Sequence, residues 1–212
     1  MVLQKNKKSV VYFLATILII GFSIYFRFSG LNWDDRFFLH PDERFLVQVA
    51  DKSQLPDNLT EWFDSSTSKM NPQNQGFDFY VYGTFPLLIV KTVQALFAGT
   101  SLMSSSEFLL LAGRFLSAFF DLLTLLLIAV FSWKIWRKQE AVLLTMAAYG
   151  FMVGAIQQSH YFTVDSFSTF FSIGSLIFLF DVNHQVRSQK QRIPIWMLSG
   201  FLLGLAMACK IS

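Results

Sequence analysis

Phe85-Pro86-Leu87-Leu88-Ile89-Val90-Lys91-Thr92-Val93-Gln94-Ala95-Leu96-Phe97-Ala98 is apolar enough to enter a bilayer, yet shorter than the ~20 residues of a full span. Whether it crosses or lies flat decides the topology. Runs long enough to cross occur at 9–28, 108–133, 141–157, 162–180 and 193–208. If 85–98 lies flat, three basic clusters, Lys5/Lys7/Lys8, Lys134/Arg137/Lys138 and Arg187/Lys190/Arg192, all share the side of the amino terminus. If it crosses, the second and third clusters change sides. The bias of Lys and Arg toward short cytoplasmic loops therefore selects an in-plane helix, and Lys91, Thr92 and Gln94 within it agree. The expectation is an all-α integral membrane protein. It has about five transmembrane helices, and a large external loop at 30–105 carries juxtamembrane helices at 42–52 and 85–98.

Composition agrees. Apolar residues make up 53% and aromatics 17% of the 212 residues, with 25 Phe, and mean hydropathy is +0.45. A soluble domain of this length would not carry so much apolar surface. A net charge of +3 gives no reason to expect a nucleic-acid partner. Cys209 is the sole cysteine, which excludes an intrachain disulfide or a cysteine-based zinc cluster and leaves it to core packing. The first run is too long for a secretory leader and no small-residue cleavage site follows Gly30. It reads as an uncleaved span with a cytoplasmic amino terminus, and Arg27 is expected to snorkel to the far interface. Compact loops and no visible retention signal favour a bacterial plasma membrane.

The loop after the first span is polar but keeps Trp33, Phe37, Phe38, Trp62, Phe63, Phe77, Phe79, Tyr80 and Tyr82, so it reads as folded against the membrane rather than disordered. It contains His40-Pro41-Asp42-Glu43. Pro41 suits a first helical position, and Asp42 and Glu43 suit the positive end of a helix dipole. The following helix puts Phe45, Leu46 and Val49 on one face and Glu43, Gln48 and Asp51 on the other, a pattern suited to a membrane surface. Asn58-Leu59-Thr60 matches the N-glycosylation pattern, a short motif that matters only in a secretory-pathway host.

With this topology Asp42, Arg114, His160, Asp165 and Lys210 all fall near the external face, and ionisable groups at membrane depth are functional candidates. Each also has a structural reading. Arg114 and Asp121 are two turns apart on one helix face and are able to form a buried pair. His160 suits an interfacial histidine without chemistry, Asp165 a helix start, and Lys210 a snorkelling lysine.

The order of these motifs resembles the GT-C superfamily of integral membrane glycosyltransferases, in particular the protein O-mannosyltransferase and aminoarabinose transferase (ArnT-like) group. Arg27 and Gly30-Leu31 precede His40-Pro41-Asp42-Glu43, which resembles the family's acidic motif. Tyr82-Gly83-Thr84-Phe85-Pro86-Leu87 resembles its entry to a juxtamembrane helix. Gly113-Arg114-Phe115-Leu116-Ser117, His160-Tyr161-Phe162-Thr163-Val164-Asp165 and Ala208-Cys209-Lys210 resemble its Gly-Arg motif, second acidic position and late lysine. Members typically run to several hundred residues with about a dozen spans, so the chain is expected to be an amino-terminal part. Phe85 stands where O-mannosyltransferases tend to carry His.

The resemblance implies transfer of a sugar from a polyprenyl-phosphate donor to an acceptor hydroxyl of a protein, lipid or glycan, with inversion, on the external face. In that scheme Asp42 is the base, Glu43 is a further catalytic carboxylate, and Asp165 is a second acidic group that orients the acceptor or Arg114. Arg114 and Lys210 meet the lipid phosphate, and Tyr82, His160, His40 and Arg27 stand nearby. No cofactor is required, although His40, Asp42 and Glu43 could bind a divalent cation. Alternatives are an inactive or partner-dependent remnant, and a transporter segment, which would place polar residues at the bilayer midplane.

Overall fold

The computed structural model describes residues 2–97, 106–184 and 189–210. Ala98 and Arg187, which entered the topology reading, lie outside them. The described elements are helical: α1 (Val2–Phe28), α2 (Pro41–Lys52), α3 (Leu59–Phe63), a 3₁₀ turn (Pro72–Gln75), α4 (Phe85–Leu96), α5 (Ser106–Trp136), α6 (Gln139–Gly150), α7 (Val153–Ser159), α8 (Asp165–His184) and α9 (Gln189–Cys209). Within them Lys8–Phe28, Ser106–Trp136, Asp165–Asn183 and Arg192–Cys209 are long and apolar enough to cross a membrane, and α6 with α7 makes a fifth, broken candidate. This is a multi-pass helical membrane protein. Many large apolar side chains face outward, among them Phe13, Leu18, Phe22, Trp136, Leu144 and Phe201, as expected where lipid replaces water as solvent.

α5 is the central helix, with α1, α2, α4, α6, α7 and α8 packed around it. α8 and α9 run together, their contact sealed by reciprocal hydrogen bonds: Ser175 Oγ donates to Ser199 O at 3.0 Å and Ser199 Oγ to Ser175 O at 3.1 Å. Small polar residues are the usual glue between helices in lipid. At one end of the bundle Lys134 Nζ meets Asp181 at 2.7 and 2.8 Å and Tyr12 donates to Glu140 at 2.5 Å. The other end carries the first long loop.

The run at 141–157 is not one helix. It breaks at Phe151 and Met152, and α6 and α7 meet at 56°. Arg27 meets the break, and it does not snorkel: it is fully buried. Its Nη1 donates to Gly150 O at 3.0 Å and its Nη2 to Tyr149 O at 3.4 Å, while its Nε donates to Asp121 Oδ2 at 2.5 Å. Tyr149 Oη completes the group by donating to the other Asp121 oxygen at 2.5 Å. Carbonyls released at a helix break must find donors inside an apolar environment, and the guanidinium supplies them. Gly150 brings α6 close to α1: a Cβ there would lie 2.6 Å from Ser23 Oγ.

The loop is folded, and its helices share one core with the adjoining ends of α5, α8 and α9. Leu46, Val47, Val49 and Ala50 of α2 pack with Leu87 and Val90 of α4, Leu109 and Leu110 of α5, Phe162 and Val164, and Cys209. The expected facing of α2 is corrected by this packing. Glu43 is fully buried on the same face as Leu46, Val47 and Ala50, following the i, i+3, i+4, i+7 spacing of a helix stripe.

Candidate active site

Asp42 and Glu43 are neighbours on the first turn of α2, which His40 caps by accepting from Glu43 N at 3.4 Å through Nδ1. Successive helical residues point about 100° apart. The Glu43 side chain goes inward and that of Asp42 stays exposed.

Inside, Arg114 is the hub. Its Nε donates to Glu43 Oε1 at 2.8 Å and its Nη2 to Glu43 Oε2 at 2.6 Å. The same guanidinium donates to Asp34 Oδ1 at 2.9 Å and Oδ2 at 3.0 Å, and to Leu31 O at 2.7 Å. All five of its N–H donors are thus committed. Trp33 covers its face, 5.3 Å from the ring centroid. Glu43 Oε1 also accepts from Phe162 N at 2.7 Å, and Gly113 admits the Phe162 ring, since a Cβ there would lie 2.2 Å from it. The cluster ties α2, α5, the turn after α1 and the entry to α8 together. Burial alone would raise the Asp34 carboxyl. The hydrogen bond from Arg114, those from the backbone of Leu39 and Arg36, and the Arg114 charge outweigh it and hold Asp34 below the usual carboxylate range.

Two expectations change. Arg114 does not pair with Asp121, whose partners are Arg27 and Tyr149; its donors go to Glu43, Asp34 and Leu31 O. His40, Asp42 and Glu43 do not converge: among the described residues no group of three or more His, Cys, Asp or Glu is placed to hold a metal ion. The His40 ring instead stacks on Tyr161 at 4.2 Å between centroids. His160 links α7 to the end of α1, its ring nitrogens 2.8 Å from Ile156 O and 2.9 Å from Ser29 O.

Outside this cluster, Asp42, Tyr82, Asp165 and Lys210 come together. Lys210 Nζ binds Asp165 Oδ1 at 2.8 Å, with side-chain exposures of 39% and 41%. Gln158 Nε2 reaches the other Asp165 oxygen at 3.3 Å and Thr163 Oγ1 at 2.6 Å. Tyr82 lies beside Lys210 through a backbone bridge, and Gly83 N donates to Cys209 O at 2.9 Å. A Cβ on Gly83 would fall 1.8 Å from Ala208 O, so this approach of loop to helix end requires glycine. Burial, then the charge of Asp42 and the hydrogen bond with it, and more weakly Asp165, push the Tyr82 phenol up to about 12. Phe45, one turn along α2 from Asp42, clusters with Phe77, Tyr80 and Tyr82 at centroid distances of 5.8, 6.0 and 6.4 Å.

Sequence reasoning overlooked Asp34, Gln158, the Arg27 partnership with Asp121, and the contacts of Trp33 with Arg114 and of Tyr161 with His40. Asp34 carried one usable signal, an acidic residue beside Trp33 directly after a span that ends in a charge.

A protein-family comparison decides what this arrangement belongs to. The model of the dolichyl-phosphate-mannose-protein mannosyltransferases matches residues 99–212, just over half of the chain. The chain belongs to this family. Mannosyltransferases of this kind are membrane glycosyltransferases of the GT-C type, in keeping with the all-helical, multi-pass fold. The matched region contributes Arg114, Asp165 and Lys210 to the two clusters, and the loop before it contributes Asp34, Asp42, Glu43 and Tyr82. No curated protein and no solved structure matches the chain.

Proposed function

We propose that the protein transfers a sugar from a polyprenyl-phosphate-linked donor to an acceptor hydroxyl, with Asp42 as the base. The observation that supports this most is the contrast within one acidic pair: Glu43 is consumed by Arg114, whereas Asp42 is exposed beside Tyr82 and the Lys210–Asp165 pair. A general base must be accessible to the acceptor and within ~3 Å of the proton it takes. In the proposed step Asp42 accepts the hydroxyl proton as the acceptor oxygen bonds to the anomeric carbon. The carbon–oxygen bond to the lipid phosphate breaks with its electron pair on the phosphate, giving inversion. Lys210 offsets the charge arriving on that phosphate, and Asp165 and Gln158 hold the lysine in position. Arg114 serves the reaction by keeping α2 in place. The in-plane setting of α4, the external face as the site of transfer and a plasma-membrane location with a cytoplasmic amino terminus belong to the same reading.

The test compares Asp42→Asn with the unmodified protein in membranes supplied with radiolabelled polyprenyl-phosphate mannose and a hydroxyl acceptor. The expected result is a loss of transfer of ~10²–10⁴-fold, the usual contribution of a general base, at unchanged protein level. Turnover near that of the unmodified protein would remove Asp42 from the reaction.

A further inference from the structure

A cavity of about 830 Å³ borders the turn that the Arg114 cluster holds, and none of Asp42, Tyr82, Asp165 or Lys210 lines it. It is a trough between α4, α5 and the turn at 31–36, walled by Leu31, Val93, Phe108, Leu111, Phe115 and Leu116. Its volume is in the range of sites that hold small molecules, ~300–1,000 Å³. Its polar rim carries Arg36 and Glu107, whose Nη1 and Oε2 lie 2.8 Å apart with both side chains 47% exposed. An ion pair so open to solvent holds weakly and is readily exchanged for other partners.

The turn that carries Arg36 is unusual. Asp35, Arg36 and Phe38 have φ of 47°, 68° and 55°, a left-handed conformation that costs energy for residues other than glycine. Asp34 holds it, accepting from Arg36 N and Leu39 N at 3.2 Å each, and Arg114 holds Asp34. The buried cluster thereby keeps a strained turn that sets Arg36 opposite Glu107 at the rim of an apolar trough.

We propose that this trough binds a zwitterionic membrane phospholipid with a primary ammonium headgroup, such as phosphatidylethanolamine. The charges match in order. The guanidinium of Arg36 takes the phosphate, for which its planar fork is suited, and Glu107 takes the ammonium, while an acyl chain fills the trough. An anionic lipid such as phosphatidylglycerol offers a phosphate but no cation for Glu107. Phosphatidylcholine has the charge but no N–H to donate. This site is independent of the transfer reaction proposed above, so the two fail separately.

The test is native mass spectrometry of the full chain in detergent, with phosphatidylethanolamine, phosphatidylcholine or phosphatidylglycerol added at equal concentration. The expected result is retention of phosphatidylethanolamine roughly fivefold over phosphatidylglycerol, about 1 kcal/mol of preference. Glu107→Lys, at an exposed position, is expected to reverse that order, and Ala112→Phe, which adds a ring inside the trough, to lower retention of all three lipids. Equal retention of the three by the unmodified protein overturns the proposal. So does an order that Glu107→Lys leaves unchanged in protein with unaltered thermal unfolding, or full competition by glycerophosphoethanolamine, which has no acyl chains.

Discussion

The Arg114 and Lys210 clusters are built from the same chemistry, a cation facing carboxylates at 2.6–3.0 Å and 2.8 Å respectively, and differ in solvent access. Arg114, Glu43 and Asp34 have no exposed side-chain surface, whereas Lys210 and Asp165 keep about two fifths of theirs. A buried ion pair whose donors are all engaged holds elements in register and has nothing left for a ligand. A half-exposed pair contributes little to stability and is free to take new partners. In this molecule the closed cluster fixes the turn at 34–39, the start of α2 and the entry to α8, and the open one stands beside Asp42.

The comparison breaks most directly at Arg114. Arg114→Ala leaves two buried carboxylates unpaired and is expected to cost about 3–5 kcal/mol, read as loss of the folded species by fluorescence-detected size-exclusion chromatography. Arg114→Lys should recover only part of this, since a single ammonium cannot engage both carboxylates as the planar fork does. Wild-type stability in Arg114→Ala would mean that the closed cluster is not structural.

A smaller effect is expected where the open cluster is assembled. Gly83→Ala drives a methyl into the backbone of Ala208 and should cost about 1–3 kcal/mol as overpacking, while separating Tyr82 from Lys210. Thermal unfolding and transfer activity, measured together, check it. An unchanged melting temperature would show that loop and helix end are not in contact.

Acid sharpens the contrast. Asp34 has a folded pKa below its unfolded value, so its contribution is fully present above the ordinary value of 3.8 and is lost as pH falls through the folded one. Stability is therefore expected to decline in that acid window, and Asp34→Asn to flatten the decline while lowering stability at neutral pH. An unaltered slope in the variant would assign the acid sensitivity to another group.

The least effect on stability is expected at Lys210. Lys210→Gln removes a pair that is two fifths exposed and should change unfolding by under about 1 kcal/mol, while reducing transfer from the phosphate-linked donor. A large loss of stability would place Lys210 with Arg114 as a structural cation.

The amino-acid sequence by itself determined that this is an all-helical membrane protein and where most of its long helices run, because the length and apolarity of a run are local properties that the bilayer reads directly. It also brought Asp42, Tyr82, Asp165 and Lys210 into view through the order of short motifs. Tertiary structure alone decided the partners. Arg114 and Glu43 are 71 residues apart, and Arg27 and Asp121 are 94 apart, distances at which no periodicity carries information. Arg27 read as a snorkelling residue because it ends an apolar run, and Arg114 as a mate for Asp121 because both share a helix face. Each instead found its counter-charge across the bundle, since desolvated cations take the carboxylates and carbonyls that packing brings within reach. A one-residue step on α2 is a turn of about 100°, so Glu43 went inward on the stripe of Leu46, Val47 and Ala50 to meet Arg114, and Asp42 stayed outside.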